Sequence, residues 1–299
     1  MTIHNASLHA QLKAAQVRFY PPINDTLQGS KVITLAASHI DMSILPTLNR
    51  HLKSTPKSDK LALLLYTRGG DVNAARRIAL LLRHYCNHLS IIAPYCCQSS
   101  GTLLALSADV IYYTPLSVFS AFDPHLEGGD EGNIVSLSSA DVKLFKDMAH
   151  EWFNLDIAEQ SNMLGMLCEH IFPPTLTSFY RTVCEVKKIA SEHLTLANIV
   201  CPTTKDEILN SLLLGSYSHD YAISGEQLNT LGINCIQNNY IEDNTLPFVE
   251  IFELHLGAGN RESLDAPWCD SVIMSPTLLS TRYKKPSGLN PQWSTELLE

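Results

Sequence analysis

The sequence predicts an α/β protein built on a largely parallel sheet, and three observations carry that reading. Apolar runs recur at Lys31 to Ala37, Leu61 to Tyr66, Leu89 to Ala93 and Val110 to Tyr113. Stretches with helical spacing of apolar residues separate them. The run Leu61 to Tyr66 is unbroken rather than alternating, the pattern of a strand covered on both sheet faces. Strand–helix–strand alternation at this pace gives right-handed βαβ-like units.

Taken in order, residues 1–30 read as a helix, a Pro21-Pro22 turn and a loop. Met42 to Leu52 is helical through Leu45, Leu48 and Leu52, and Val72 to Tyr85 is helical through Ile78, Leu81 and Leu82. Ser100 to Ser107 reads as a short helix. From Ala140 onward the pattern turns helical, with candidates at Asp141 to Phe153, Ile157 to His170 and Pro174 to Leu194. Leu212 to Gly215 ends a further helix, Asp220 to Ile223 reads as a strand, and Gly225 to Leu231 as a helix closed by Gly232. Pro247 to Leu254 reads as a strand, and the tail from Pro267 as loop-rich or packed on a partner. These elements suggest an N-terminal helix and loop (1–30), a core domain (31–235) and a C-terminal extension (236–299).

Composition narrows the function classes. A chain of 299 residues with 45% hydrophobic and 17% charged residues has the make-up of a folded domain with a substantial core. A net charge of -9, with no tract dense in lysine and arginine, argues against a nucleic-acid surface. No segment reaches the roughly 20 uninterrupted apolar residues of a membrane span, and the N-terminus lacks a signal-peptide core. Eight cysteines without a CxxC suggest reduced thiols and a cytoplasmic setting. Twelve histidines without metal-ligand spacing give no metal site, and nothing calls for a cofactor.

Two glycine-bearing turns carry the candidate chemistry. Leu63-Leu64-Leu65-Tyr66-Thr67-Arg68-Gly69-Gly70-Asp71-Val72 is an apolar run ending in a Gly-Gly pair. Ser99-Ser100-Gly101-Thr102 opens the next Ala/Leu-rich helix. Turns at the ends of buried strands can aim backbone N–H groups at one point beside a serine, the minimum equipment for acyl transfer. Ser99 stands just before a helix whose free N–H groups face a developing oxyanion. Ser100 N–H and Gly70 N–H would form the hole, each donor worth roughly 3–4 kcal/mol in the barrier. Gly69 and Asp71 flank it as candidate substrate-binding residues, and Gly101 lets the first helical turn pack closely. The plain structural alternatives are an N-cap for Ser99 and a tight turn needing positive φ for the glycines.

These motifs resemble one superfamily. Thr67-Arg68-Gly69-Gly70-Asp71-Val72 is similar to the oxyanion turn of Clp-type and signal-peptide-peptidase-type serine proteases, and Ser99-Ser100-Gly101 to their nucleophile turn. The chain resembles in particular the serine dehydrogenase proteinase family, relatives of signal peptide peptidase A. The resemblance runs through Ser99 to Ile111, Phe122-Asp123-Pro124-His125, Ser218 to Ile223 and Leu231-Gly232-Ile233, covering residues 31–235. It implies a Clp protease/crotonase-like spiral of ββα units with a helical extension. It implies a serine peptidase acting on a peptide or protein, assembled as a homo-oligomer through the helices after residue 140.

The general base stays open at this level. The Clp histidine position holds Phe122, and His125 stands where the family has glutamine. Lys143 and Lys146 fall near the lysine spacing of the signal-peptide-peptidase branch. Lys146, between Phe145 and Met148, has the less polar neighbourhood, which favours a lowered lysine pKa. Lys187 and Lys188 lie further along. The spacing from Asp220 to Gly232 resembles that of the Clp orienting aspartate, so a Ser99–His125–Asp220 triad is the other arrangement. Two other functions compete: a catalytically silent scaffold that binds a peptide or partner, and a crotonase-like acyl-CoA enzyme using Asp123 or Asp71. The Ser-x-Gly turn argues against the latter.

Overall fold

The computed structural model describes residues 3–54, 58–122, 125–128, 135–153, 160–215, 218–286 and 292–298. The chain opens with helix α1 (Ile3–Thr26), then β1 (Lys31–Ala37), α2 (Ile44–Ser54), β2 (Lys60–Thr67), α3 (Val72–Tyr85) and β3 (His88–Ala93). Two-residue β4 (Cys96–Cys97) leads into α4 (Ser100–Ala105), β5 (Val110–Tyr113) and two-residue β6 (Val118–Phe119). A hairpin of β7 (His125–Gly128) and β8 (Val135–Ser138) precedes α5 (Ser139–Phe153), α6 (Gln160–His170), α7 (Pro173–Leu196) and α8 (Pro202–Leu214). The chain continues as α9 (Gly225–Thr230), β9 (Cys235–Gln237), α10 (Asn239–His255), β10 (Trp268–Met274), β11 (Leu278–Lys284) and β12 (Gln292–Leu297).

The main sheet runs β12-β11-β10-β1-β2-β3-β5-β9. From β1 to β9 every pairing is parallel, and the three C-terminal strands add an antiparallel edge through β10 on β1. Successive residues of a strand point to opposite faces, so the apolar runs divide by parity. Leu61, Leu63 and Leu65 enter the core shared with α2, α3, α4 and α7, whereas Ala62, Leu64 and Tyr66 enter the core shared with α1 and α10. An unbroken run of apolar residues is therefore what a three-layer fold requires of β2. Truncating one such side chain, Leu63→Ala for example, removes about 2–5 kcal/mol.

A second, smaller strand set leaves the main sheet where the candidate site lies. Thr67 at the end of β2 pairs with Cys97 of β4, and β4 pairs with β6. This turn out of the sheet places Ser99 two residues after β4 and Ser120 directly after β6. It is the ββα spiral expected from the resemblance.

Four expectations need correction. Helix α1 runs through Pro21 and Pro22 instead of turning there. Its buried residues Leu8, Leu12, Ala15, Tyr20 and Ile23 pack with α10 on the sheet, and that burial holds the helix past its missing N–H donors. Residues Pro247 to Leu254 are helical, inside α10. The run Phe248-Val249-Glu250-Ile251-Phe252 has strand-like composition, but Ile241, Thr245, Phe248, Val249 and Phe252 form one buried helical face, and Asn238 caps the helix by accepting from the Ile241 N–H. The tail from Pro267 forms β10 to β12. It lacks alternation because β10 and most of β11 are buried on both faces, with Ser271, Ser280 and Thr281 inside. Asp220 to Ile223 also departs from a strand, being a turn with one bridge from Ile223 to Phe119.

Several titratable groups are locked in by this packing. His51 of α2 is buried between Ser275 Oγ (3.0 Å) and Ser280 Oγ (2.8 Å), and burial together with the Arg50 charge pushes it down to about 4. Burial raises the Asp270 carboxyl, but the Ser38 hydrogen bond and the Arg282 and Lys284 charges outweigh it and hold it below the carboxylate range. For His51 the folded value lies below the unfolded one. Its stabilising contribution is present above pH ~6.5 and is lost as pH falls toward the folded value. Asp270 adds a loss of the same sign at lower pH. Urea midpoints should hold steady near pH 7 and fall between pH ~6.5 and ~4, with a shallower fall in His51→Gln.

Candidate active site

Three backbone approaches build the site at the C-terminal ends of β1, β2 and β4. Ile40, just after β1, donates its N–H to the Gly69 carbonyl (2.7 Å) and accepts from the Asp71 N–H (2.8 Å). Gly70 lies against it at φ 141°, and a Cβ there would stand 2.3 Å from the Ile40 carbonyl oxygen. Gly69 has φ 115° and abuts Ser99, where its Cβ would stand 2.7 Å from Ser99 Cβ and 3.2 Å from Oγ. A Cβ on Gly101 would meet Thr67 Cγ2 at 2.5 Å. All three glycines are there because backbone and side chain come within van der Waals contact, and two also need positive φ.

Ser99 is held in an unusual conformation, φ 52° and ψ -119°, immediately before α4. A positive φ at a non-glycine residue persists only where its surroundings over-determine it. Here the Ser99 N–H donates to Ser120 Oγ (2.9 Å), the Gly101 N–H to the Gln98 carbonyl (2.8 Å), and the Leu103 N–H to the Ser99 carbonyl (3.0 Å). Ser120 is itself fixed, its N–H donating to Thr102 Oγ1 (3.1 Å), which donates to the Cys97 carbonyl (2.7 Å). Ser99 occupies the N-cap position without making a side-chain cap. Among the described residues its half-buried Oγ makes no hydrogen bond. The capping alternative is therefore not what its hydroxyl does.

Two amides of these turns have no acceptor among the described residues. Ser100 N–H sits at the first position of α4, where no intrahelical acceptor exists. Ile40 bonds to Gly69 and Asp71 on one side of the turn, and the Gly70 N–H between them has no acceptor among the described residues. The Gly69 N–H is occupied by Thr67 Oγ1 (3.1 Å). Asp71 caps α3, its carboxylate accepting from the Asn73 N–H (2.8 Å).

The remaining sequence candidates are dispersed. Lys146 falls in α5 and His125 in β7, and their side chains lie outside the described ones, as does Asp123 altogether. Asp220 is exposed in its turn, with its N–H on Ser218 Oγ (3.2 Å), and no hydrogen bond joins it to Ser99 among the described residues. Phe122 is buried and donates its N–H to the Leu212 carbonyl of α8 (3.3 Å). The cysteines before the Ser99 turn stay protonated, since burial pushes the Cys96 thiol up to about 11 and the Cys97 thiol higher still. Thiol chemistry therefore does not compete with the Ser99 hydroxyl.

Sequence reasoning missed Ile40, Thr67 and Ser120, which hold the turns rather than present a reactive group. It also passed over His193 of α7, buried behind α4 with Nδ1 2.7 Å from the Leu103 carbonyl oxygen. Burial lowers the His193 pKa. Its place on the face of Val186, Ile189 and Ala190 marks it as a core residue that positions the α4 backbone.

With both turns and the strained serine in place, the chain can be compared with known proteins. Residues 27–160 match the family of ClpP-like SDH-type serine proteinases. The match spans both turns, so the recognition drawn from those motifs stands, and the fold is ClpP-like. Two curated relatives are the uncharacterized proteins MJ0137 and MJ1495 of Methanocaldococcus jannaschii. MJ0137 is 26% identical over 197 residues, covering 63% of this chain and 58% of its own. MJ1495 is 23% identical over 209 residues, covering 70% and 62%. The chain thus spans about six tenths of the length of the curated relatives it matches. Among solved structures, a mutant of the 1510-N membrane-bound stomatin-specific protease has a TM-score of 0.42 at 15% identity, covering 78% of this chain and 88% of its own. A second mutant of that protease, bound to a substrate peptide, has a TM-score of 0.29 at 21% identity over 38% and 53%. Among the described residues of this chain, no helix is long and apolar enough to cross a membrane.

The site geometry makes two stability tests direct. Gly70→Ala places a Cβ into the Ile40 backbone at positive φ and should cost about 2–4 kcal/mol in urea unfolding. Ser120→Ala, which leaves the Ser99 N–H without its acceptor, should cost about 1–3 kcal/mol.

Proposed function

We propose that the protein is a serine peptidase of the serine dehydrogenase proteinase type, with Ser99 as its nucleophile. The observation that carries this reading is the strained backbone of Ser99, which leaves Oγ uncapped against the Gly69-Gly70 turn. In this reading Ser99 Oγ attacks a peptide carbonyl carbon and gives its proton to the base. The tetrahedral oxyanion accepts hydrogen bonds from the Gly70 and Ser100 N–H groups. The base then protonates the leaving amine, and water hydrolyses the acyl-enzyme by the same steps. Lys146 is the base of this scheme, with His125 and Asp220 as the alternative pair. Gly69 and Asp71 border the substrate's backbone, and the helices after residue 140 form the contact between copies in a homo-oligomer.

The silent-scaffold alternative draws on one observation, that Ser99 Oγ meets no side-chain partner among the described residues. Asp71 is engaged as a helix cap, which weighs against the acyl-CoA reading. A fluorophosphonate probe separates peptidase from scaffold. The wild type should label, Ser99→Ala should not, and peptide hydrolysis should fall by about 10³-fold or more in that variant. Equal labelling of wild type and Ser99→Ala, or none of either across pH, would sink the peptidase assignment.

A further inference from the structure

The Gly69-Gly70 turn is held from one side by Ile40, through the two backbone bonds described above. The residues around Ile40 face a different partner. Ser38 donates its N–H to the Asp270 carbonyl (2.9 Å) and its hydroxyl to Asp270 Oδ1 (2.6 Å). Arg282 donates to Asp41 Oδ1 (2.9 Å), to Ser43 Oγ (2.6 Å), to the His39 carbonyl (3.3 Å) and to Asp270 Oδ2. Its guanidinium is fully buried and lies 5.3 Å from the centre of the Trp293 ring. Ser38, His39, Asp41 and Ser43 are thus tied to β10 and β11, while Ile40 among them is tied to the candidate oxyanion turn.

We infer that Arg282 and Asp270 are positioning residues for that turn. They fix the 38–43 loop, so that Ile40 holds the Gly69-Gly70 backbone against Ser99. The inference rests on the peptidase reading above. Both residues lie outside the 27–160 segment of the family match, so the match does not contain the tether. A buried ion pair stabilises a fold little better than apolar residues of the same volume. A planar guanidinium with several donors, however, fixes the directions of four acceptors at once, which an apolar residue cannot do.

The test uses two variants of the full chain. Arg282→Lys keeps the charge and loses the fork. Asp41→Asn alters the partly exposed end of the network, so a folded variant is available even if Arg282→Lys does not fold. Amide hydrogen exchange at Ile40 and Asp71 is read against Ile91 in the interior of β3, and Ser99 labelling is timed with a fluorophosphonate. Exchange at Ile40 and Asp71 should quicken by about tenfold or more with Ile91 unchanged. Labelling should slow by roughly ten- to hundredfold, the scale of a misplacement near 1 Å. Unchanged protection at Ile40 and Asp71 in a folded variant, or unchanged labelling despite lost protection, overturns the inference. A wild type that does not label at Ser99 counts against the peptidase reading, and exchange at Ile40 and Asp71 then decides the tether alone.

Discussion

The close approach of backbone segments at the ends of the parallel strands is the constraint on which the candidate site depends. Ile40 lies on Gly70, Ser99 on Gly69, and Thr67 on Gly101, each at a distance that leaves no room for a Cβ. These contacts follow from β4 pairing with β2 only at Thr67 and then departing toward β6. A regular βαβ unit would keep the third strand in the main sheet and carry Ser99 away from the glycine turn. The spiral is what brings two chain reversals to one point, and the glycines are what allow them to touch there.

Strain and support at this point belong together. The positive φ of Ser99 costs about 1–3 kcal/mol at a non-glycine residue. Three backbone donors around it are each satisfied, and Ser120 is satisfied in turn through Thr102. The packing beneath is equally determined, because α4 is buried throughout, from Ser100 to Ala105. In such a frame two neighbouring hydroxyls lack a partner among the described residues, the buried Ser100 Oγ and the Ser99 Oγ, and of the two residues only Ser99 is partly exposed. That is the arrangement expected of a group reserved for a substrate.

Much of this was legible in the sequence, and the reasons differ by element. The strands β1, β2, β3 and β5 show as largely apolar runs, unbroken in β2 from Leu61 to Tyr66, because the sheet is covered on both faces there. Helix α3 shows because Ala74, Ala75, Ile78, Ala79 and Leu82 follow one helical face. The glycine pair and the Ser-x-Gly turn show because only certain residues tolerate those backbones. What was hidden has a physical reason as well. Strands β10 and β11 bury serine, threonine and arginine through long-range hydrogen bonds, so their sequence reads as polar loop. Helix α10 carries a β-branched and aromatic run that only its burial pattern reveals as helical. Ile40 acts through its backbone groups and Ser120 through a hydroxyl that accepts from a backbone amide 21 residues away, and residue type carries no trace of either.

The Phe122 position bears on which base the proposed mechanism can use. Clp-type proteases, by the resemblance, place histidine there, and an imidazole base needs a second hydrogen-bonding partner to fix its tautomer. Here the position holds a buried ring whose backbone N–H is engaged by Leu212 of α8. A phenyl ring at that position supplies no such partner. Within the proposed scheme Phe122 rules out an imidazole at that position alone, and the proton falls to Lys146 or to the His125–Asp220 pair.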